Sequence, residues 1–256
     1  MNYYIPSKME SNKSKNHRFI ELDLLRGFAI SCMVFFHIIW DLDYFGILQL
    51  NKTMYNFNVF FQVLFLTLVG ITLSIKNNRI QDRLLKSYNN VIYHGLWIFS
   101  LGMIITTVTL LFMPDRPVIF GILHCIGLSI VLSTLFLRFK TYNLLFGFSI
   151  IFIGLIIGHY NLANPTFIHL MIGLHQTNVW KYTIDYFPLL PWFGVSLIGI
   201  GVGNILYRDN KRSFKIPNIL HYRPVTLISW IGKHSLLIYL FHQPLIAGVL
   251  FLFLLF

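Results

Sequence analysis

The sequence predicts an all-α fold, a polytopic membrane helix bundle of about seven transmembrane helices with its N-terminus in the cytoplasm. Three observations carry that expectation. The 256 residues are 56% hydrophobic and 11% charged, against roughly 25% charged in ordinary soluble domains. Seven apolar runs approach or exceed the ~20 residues that a helix needs to cross ~30 Å of hydrocarbon. Lysine and arginine fall almost entirely in alternate connections between those runs, the asymmetry that sets membrane topology.

The first run, Phe19 to Trp40, follows a polar and basic tail, residues 1–18. No small-x-small cleavage pattern follows it, so it reads as a retained helix and not as a signal peptide. Further runs cover Asn58 to Ile75, Val91 to Met113, Val118 to Leu137, Leu144 to Gly158, Pro188 to Tyr207 and Val225 to Phe256. The fifth is short. The last, at 32 residues, exceeds one crossing, and Gly232 and Pro244 are the expected places for a break or kink. The longest outer connection runs from His159 to Phe187, and its Thr166 to His175 portion suits a short interfacial helix. No linker or internal repeat divides the chain, so residues 19–256 are expected to form one transmembrane domain.

With the N-terminus inside, fifteen of the twenty lysines and arginines lie on the cytoplasmic side and three, Lys52, Arg116 and Lys181, on the outer side. Arg26 and Lys233 remain near or within the membrane. The net charge of +11 is therefore topological. The basic residues form no groove-sized patch, and no nucleic-acid partner is expected. Cys32 and Cys125 sit inside apolar runs, with neither a disulfide framework nor metal-ligand spacing.

The first helix holds Asp23, Arg26, His37 and Asp41 in and around its apolar run. Ionisable groups at that depth are costly and mark functional positions. At ~100° per residue, the eleven steps from Arg26 to His37 return to within about 20° of the same direction, about 16 Å further along the axis. Asp41 lies one turn beyond His37, where a carboxylate can hydrogen-bond an imidazole and fix its tautomer. Asp23, one turn before Arg26, can offset its charge. A plainer reading makes these groups two interfacial anchors, but anchors need no common face.

His124 at the start of the fourth run, Asp185 before the sixth and His242 in the last fall in the same outer half as His37 and Asp41. Each has an ordinary alternative, as a histidine satisfied by a neighbouring helix or an acid at a helix N-terminus. His94, near the inner end of the third run, reads as an interface histidine. On the cytoplasmic side Arg79, Arg83 and Lys86, with Lys211, Arg212 and Lys215, can surround an anionic head group, or simply obey the positive-inside rule. With Arg26 deeper than these, they describe a path from a basic mouth to an outer histidine, suited to a polyanion with a long reactive arm. The rival reading is a proton-coupled transporter or exporter, in which the same histidines and aspartates relay protons. A membrane scaffold with satisfied buried histidines is a third.

The run RFIELDLLRGFAISCMVFFHIIWDL resembles the first helix of the transmembrane acyltransferases, in Leu22, Asp23, Arg26, Gly27 and, after ten intervening residues, His37. Three later segments, ILHCIGLS (Ile122 to Ser129), DYFPLLPWFG (Asp185 to Gly194) and GKHSLLIYLFHQPL (Gly232 to Leu245), resemble the catalytic domain of heparan-alpha-glucosaminide N-acetyltransferase and its prokaryotic relatives. The resemblance implies transfer of an acetyl or other acyl group from cytosolic acetyl-CoA or acyl-CoA to an acceptor at the outer face, a sugar or glycan hydroxyl or amine. It implies that His37 handles the acyl group or the acceptor's proton and that Arg26 helps hold the donor, while His124, Asp185 and His242 occupy motif positions. The candidate catalytic set is thus His37, Asp41, His124, Asp185 and His242. The candidate donor-binding set is Arg26, Arg79, Arg83 and Lys233, with no metal. A neutral imidazole can act as general base on the acceptor, or attack the thioester and carry the acyl group itself. The expected location is the cell membrane; lysosomal members form dimers, so the resemblance allows a homodimer, while the residues themselves leave the oligomeric state open.

Overall fold

A computed structural model describes residues 18–49, 52–79, 84–208, 211–216 and 222–255. No strand occurs among them, only two isolated bridges, Phe120 with Tyr186 and Asn161 with His175. The helices are α1 (Ile20–Tyr44), α2 (Lys52–Asn78), α3 (Leu84–Phe112), α4 (Ile122–Phe136), α5 (Asn143–Ile157), α6 (Phe167–Ile172), α7 (Leu189–Leu206), α8 (Arg223–Lys233) and α9 (Ser235–Leu255).

Local chemistry sets their limits. Glu21 and Asp23 occupy the first turn of α1 and complement its dipole, and Gly46 with φ 73° follows its C-cap Phe45, where a side chain would be strained. Pro188 caps α7 and Pro224 sits in the first turn of α8, positions that lose no helical hydrogen bond. The expected interfacial helix in the outer connection is α6, which Thr166 caps together with His169.

Among the described residues, six helical stretches are long and apolar enough to cross a membrane. One of them, Ile122–Ile157, is broken at Lys140 (φ 48°, ψ −119°), and its halves α4 and α5 count separately in the sequence expectation of about seven. The last apolar run does divide, but at His234, two residues after Gly232, while Pro244 lies inside α9. The backbone leaves helical geometry where the chain turns from the amphipathic α8 into the apolar α9, and proline has no part in it.

Close backbone approach holds the bundle together, as expected where lipid removes the hydrophobic drive between helices. A Cβ on Gly199 of α7 would overlap the Thr67 carbonyl of α2. One on Gly194 would lie 2.6 Å from the Gly147 carbonyl of α5. Gly27 of α1 and Gly232 of α8 meet in the same way, each against a carbonyl of the other helix. Further along, His37 faces His242 and Asp41 faces Gln243, so α8 and α9 run beside α1 in the same direction. Phe120, Leu66, Leu197 and Ile200 are fully buried at the centre. Outward, Trp97, Ile104 and Leu111 of α3 and Leu237, Phe241 and Leu252 of α9 are exposed. Apolar surface on that scale suits lipid.

Candidate active site

The first helix delivers its charged stripe as the periodicity requires. Near its start, buried Asp23 accepts from Arg18 at 2.6 and 3.1 Å and pairs with Arg26 at 3.5 Å. Arg26 also donates to Thr72 of α2. Just outside this cluster, Arg212 grips Glu21 with two bonds of 2.6 and 2.9 Å, and Tyr207 donates to the same carboxylate. Hydrogen bonding to Glu21 raises the Arg212 pKa.

Arg26 opens onto a cavity of about 410 Å³. Lys76 and His94 line it together with Arg26, Ile30, Phe61, Phe65, Val69, Ile98 and Ile126 form much of its apolar wall, and Asn58, Gln62, Met33 and Tyr239 also face it. Cationic groups from α1 and α2 and an imidazole from α3 thus share one chamber with mostly hydrocarbon walls. Ring nitrogens and ammonium groups suit phosphate oxygens, and apolar walls suit an uncharged arm.

His37 stands one turn beyond Met33, and His242 three residues beyond Tyr239, so the two histidines sit next to the cavity. Their ring centroids are 4.9 Å apart. The Nδ1 of His242 lies 2.6 Å from the Tyr239 carbonyl, which can only accept, so this nitrogen carries the proton. Three buried atoms here have no partner among the described residues: Nδ1 of His37, Nε2 of His242 and Oε1 of Gln243.

Asp41 does not take the role that its spacing predicts. Its carboxylate accepts from Nε2 of Gln243 at 2.9 and 3.0 Å, and no bond to His37 is formed. The i,i+4 spacing allows the contact, but the amide that α9 brings across claims both oxygens.

His124 and Asp185 come together at another place, the start of α4. Gly121 N–H donates to Nδ1 of His124 at 3.2 Å, leaving Nε2 to bond Thr106 at 3.3 Å, which in turn donates to the Val118 carbonyl. Ile122 N–H donates to Asp185 at 3.1 Å. Both side chains therefore satisfy backbone amides of a helix N-terminus. Burial pushes the Asp185 carboxyl up to about 6, with the Ile122 amide pulling the other way.

Of the cations expected to hold a donor, only Arg26 lines the cavity. Arg79 is exposed beside the Phe19 ring, Lys233 is exposed at the end of α8, and Arg83 lies outside the described residues. Lys76 is the second cation in the wall, with the His94 imidazole beside it. The signal was in α2: Asn58, Gln62, Phe65, Val69, Thr72 and Lys76 recur at alternating steps of four and three, one helical face with polar groups at both ends.

Comparison with curated proteins and with solved structures returns no match. The family model described as heparan-alpha-glucosaminide N-acetyltransferase, catalytic, matches residues 18–244, which include both histidines of the pair and the Arg26 cluster. The chain, whose cavity with cationic residues in its wall is lined from α1, α2, α3, α4 and α9, belongs to the heparan-alpha-glucosaminide N-acetyltransferase catalytic family, a family of membrane acetyltransferases.

Proposed function

We propose that this protein moves an acetyl group, or another short acyl group, from acyl-CoA to a sugar or glycan hydroxyl or amine on the opposite side of the membrane, with His37 as the reacting imidazole. The observation that carries the reading is the 410 Å³ cavity, with Arg26, Lys76 and His94 in its wall and the histidine pair beside it. Phosphates of the donor meet the cations, and the pantetheine arm lies along the apolar wall with its thioester toward His37. The acceptor's proton passes to the imidazole as the new C–O or C–N bond forms and the C–S bond breaks, and the departing thiolate then receives a proton. In a two-step route the imidazole itself first takes the acyl carbon. The cell membrane as location, the single domain through residue 256 and a homodimer belong to the same proposal.

Thermal unfolding of the purified chain with millimolar acetyl-CoA tests it, since a ligand that binds only the folded state raises the midpoint. The expected result is an upward shift, together with acetyl transfer that His37→Ala abolishes while its midpoint stays near wild type. No shift and no loss in His37→Ala would turn the assignment toward a transporter.

A further inference from the structure

A reacting imidazole works best when one ring nitrogen is held, so that the lone pair of the other points to the reaction. His37 has lost its expected holder, because Asp41 is occupied by Gln243. Its Nδ1 is nevertheless buried, and a buried polar atom without a partner is costly.

Across from it, His242 is only 9% exposed. With its Nδ1 proton committed to the Tyr239 carbonyl at 2.6 Å, its Nε2 bears a lone pair, and that atom too is buried without a partner. The rings stand 4.9 Å apart at 59°. Of the two unpartnered nitrogens in these neighbouring rings, one can donate and the other can only accept, and the terminal ring torsion of histidine is soft.

We propose that His242 is the positioning residue of His37: Nδ1–H of His37 donates to Nε2 of His242, whose own Nδ1–H donates to the Tyr239 carbonyl. One hydrogen bond then satisfies both orphaned atoms. It fixes the His37 proton on Nδ1 and leaves Nε2 as the nitrogen that takes the acceptor's proton or the acyl carbon. A neutral imidazole, backed by a carbonyl of α9, does what a carboxylate on α1 was expected to do. This rests on His37 being the reacting imidazole, as proposed above.

The test uses the full chain in lipid nanodiscs with ¹⁵N-labelled histidine rings, the His37 signals being assigned with His37→Ala. Ring nitrogen shifts read the tautomer directly, without turnover. Wild type is expected to show His37 as the Nδ1–H form. In His242→Leu the His37 tautomers should mix and kcat should fall about 10²–10⁴-fold, with KM for acetyl-CoA unchanged. His242→Gln, whose amide oxygen can accept the same bond, should restore the Nδ1–H form and most of kcat. A His37 that is Nε2–H in wild type, or indifferent to His242→Leu, overturns the pairing, as does a His242→Gln no better than His242→Leu. A tautomer that responds as expected in a protein that transfers no acyl group supports the pairing and rejects the functional proposal alone.

Discussion

Gln243 holds both carboxylate oxygens of Asp41 through its Nε2, at 2.9 and 3.0 Å. Asp41 is 5% exposed, so the amide stands between a buried carboxylate and an uncompensated one. Hydrogen bonds to charged groups are worth about 1.5–3 kcal/mol, and Gln243→Leu should lower the unfolding midpoint by a corresponding amount. Adding Asp41→Leu should recover part of that loss, because the stranded charge is then gone. Thermal unfolding of the two single variants and the double variant gives the cycle. Strict additivity would show that the two side chains do not interact.

Gly27 and Gly232 bring α1 and α8 together, and a methyl on either meets main chain of the other helix, which cannot swing aside. Overpacking of this kind costs about 1–3 kcal/mol. Gly27→Ala and Gly232→Ala should each reduce stability and, by separating α1 from α9, activity. Gly248→Ala is the control, since nothing lies within 4 Å of its added carbon. Equal unfolding midpoints for all three would contradict the close crossing.

Asp185 gives the molecule an unusual response to acid. Its carboxyl is raised from 3.8 to about 6 by burial, so the folded protein binds the proton more tightly than the unfolded one. Stability from this group is therefore full below pH ~4 and is lost as pH rises from about 4 to 6, by about 3 kcal/mol for a shift of roughly two units. Asp185→Asn keeps an oxygen to accept from Ile122 and should flatten that slope. Denaturation between pH 4 and 7 for both proteins measures it, and an unchanged slope in Asp185→Asn would assign the effect elsewhere.

Arg26 is a cavity cation whose removal the fold can withstand, because Asp23 keeps both bonds from Arg18 at 2.6 and 3.1 Å. Arg26→Gln is expected to raise KM for acetyl-CoA about 10–100-fold, the worth of a lost charged hydrogen bond, with a smaller change in kcat. Lys76→Gln should act in the same direction. Initial rates across donor concentration separate the two parameters, and an unchanged KM in both variants would remove the donor from this part of the cavity.

The sequence supplied the helices and the chemistry along each of them. Apolar length marked the crossings, the lysine and arginine pattern gave their expected orientation, and the eleven-residue step from Arg26 to His37 gave a shared face. Those are properties of one segment and its solvent, repeated along the chain. The order of four motifs was likewise enough to anticipate the family.

The pairings between helices belonged to the tertiary structure. His37 meets His242 and Asp41 meets Gln243 because Gly27 and Gly232 let α1 and α8 touch and thereby bring α9 alongside at that register. His124 and Asp185, expected at the depth of that pair, are drawn instead to the amides of Gly121 and Ile122. Depth is written in hydropathy, residue by residue. Which faces meet at a given depth depends on crossing angle, axial offset and the competition among donors for each acceptor, and none of these exists until the helices pack.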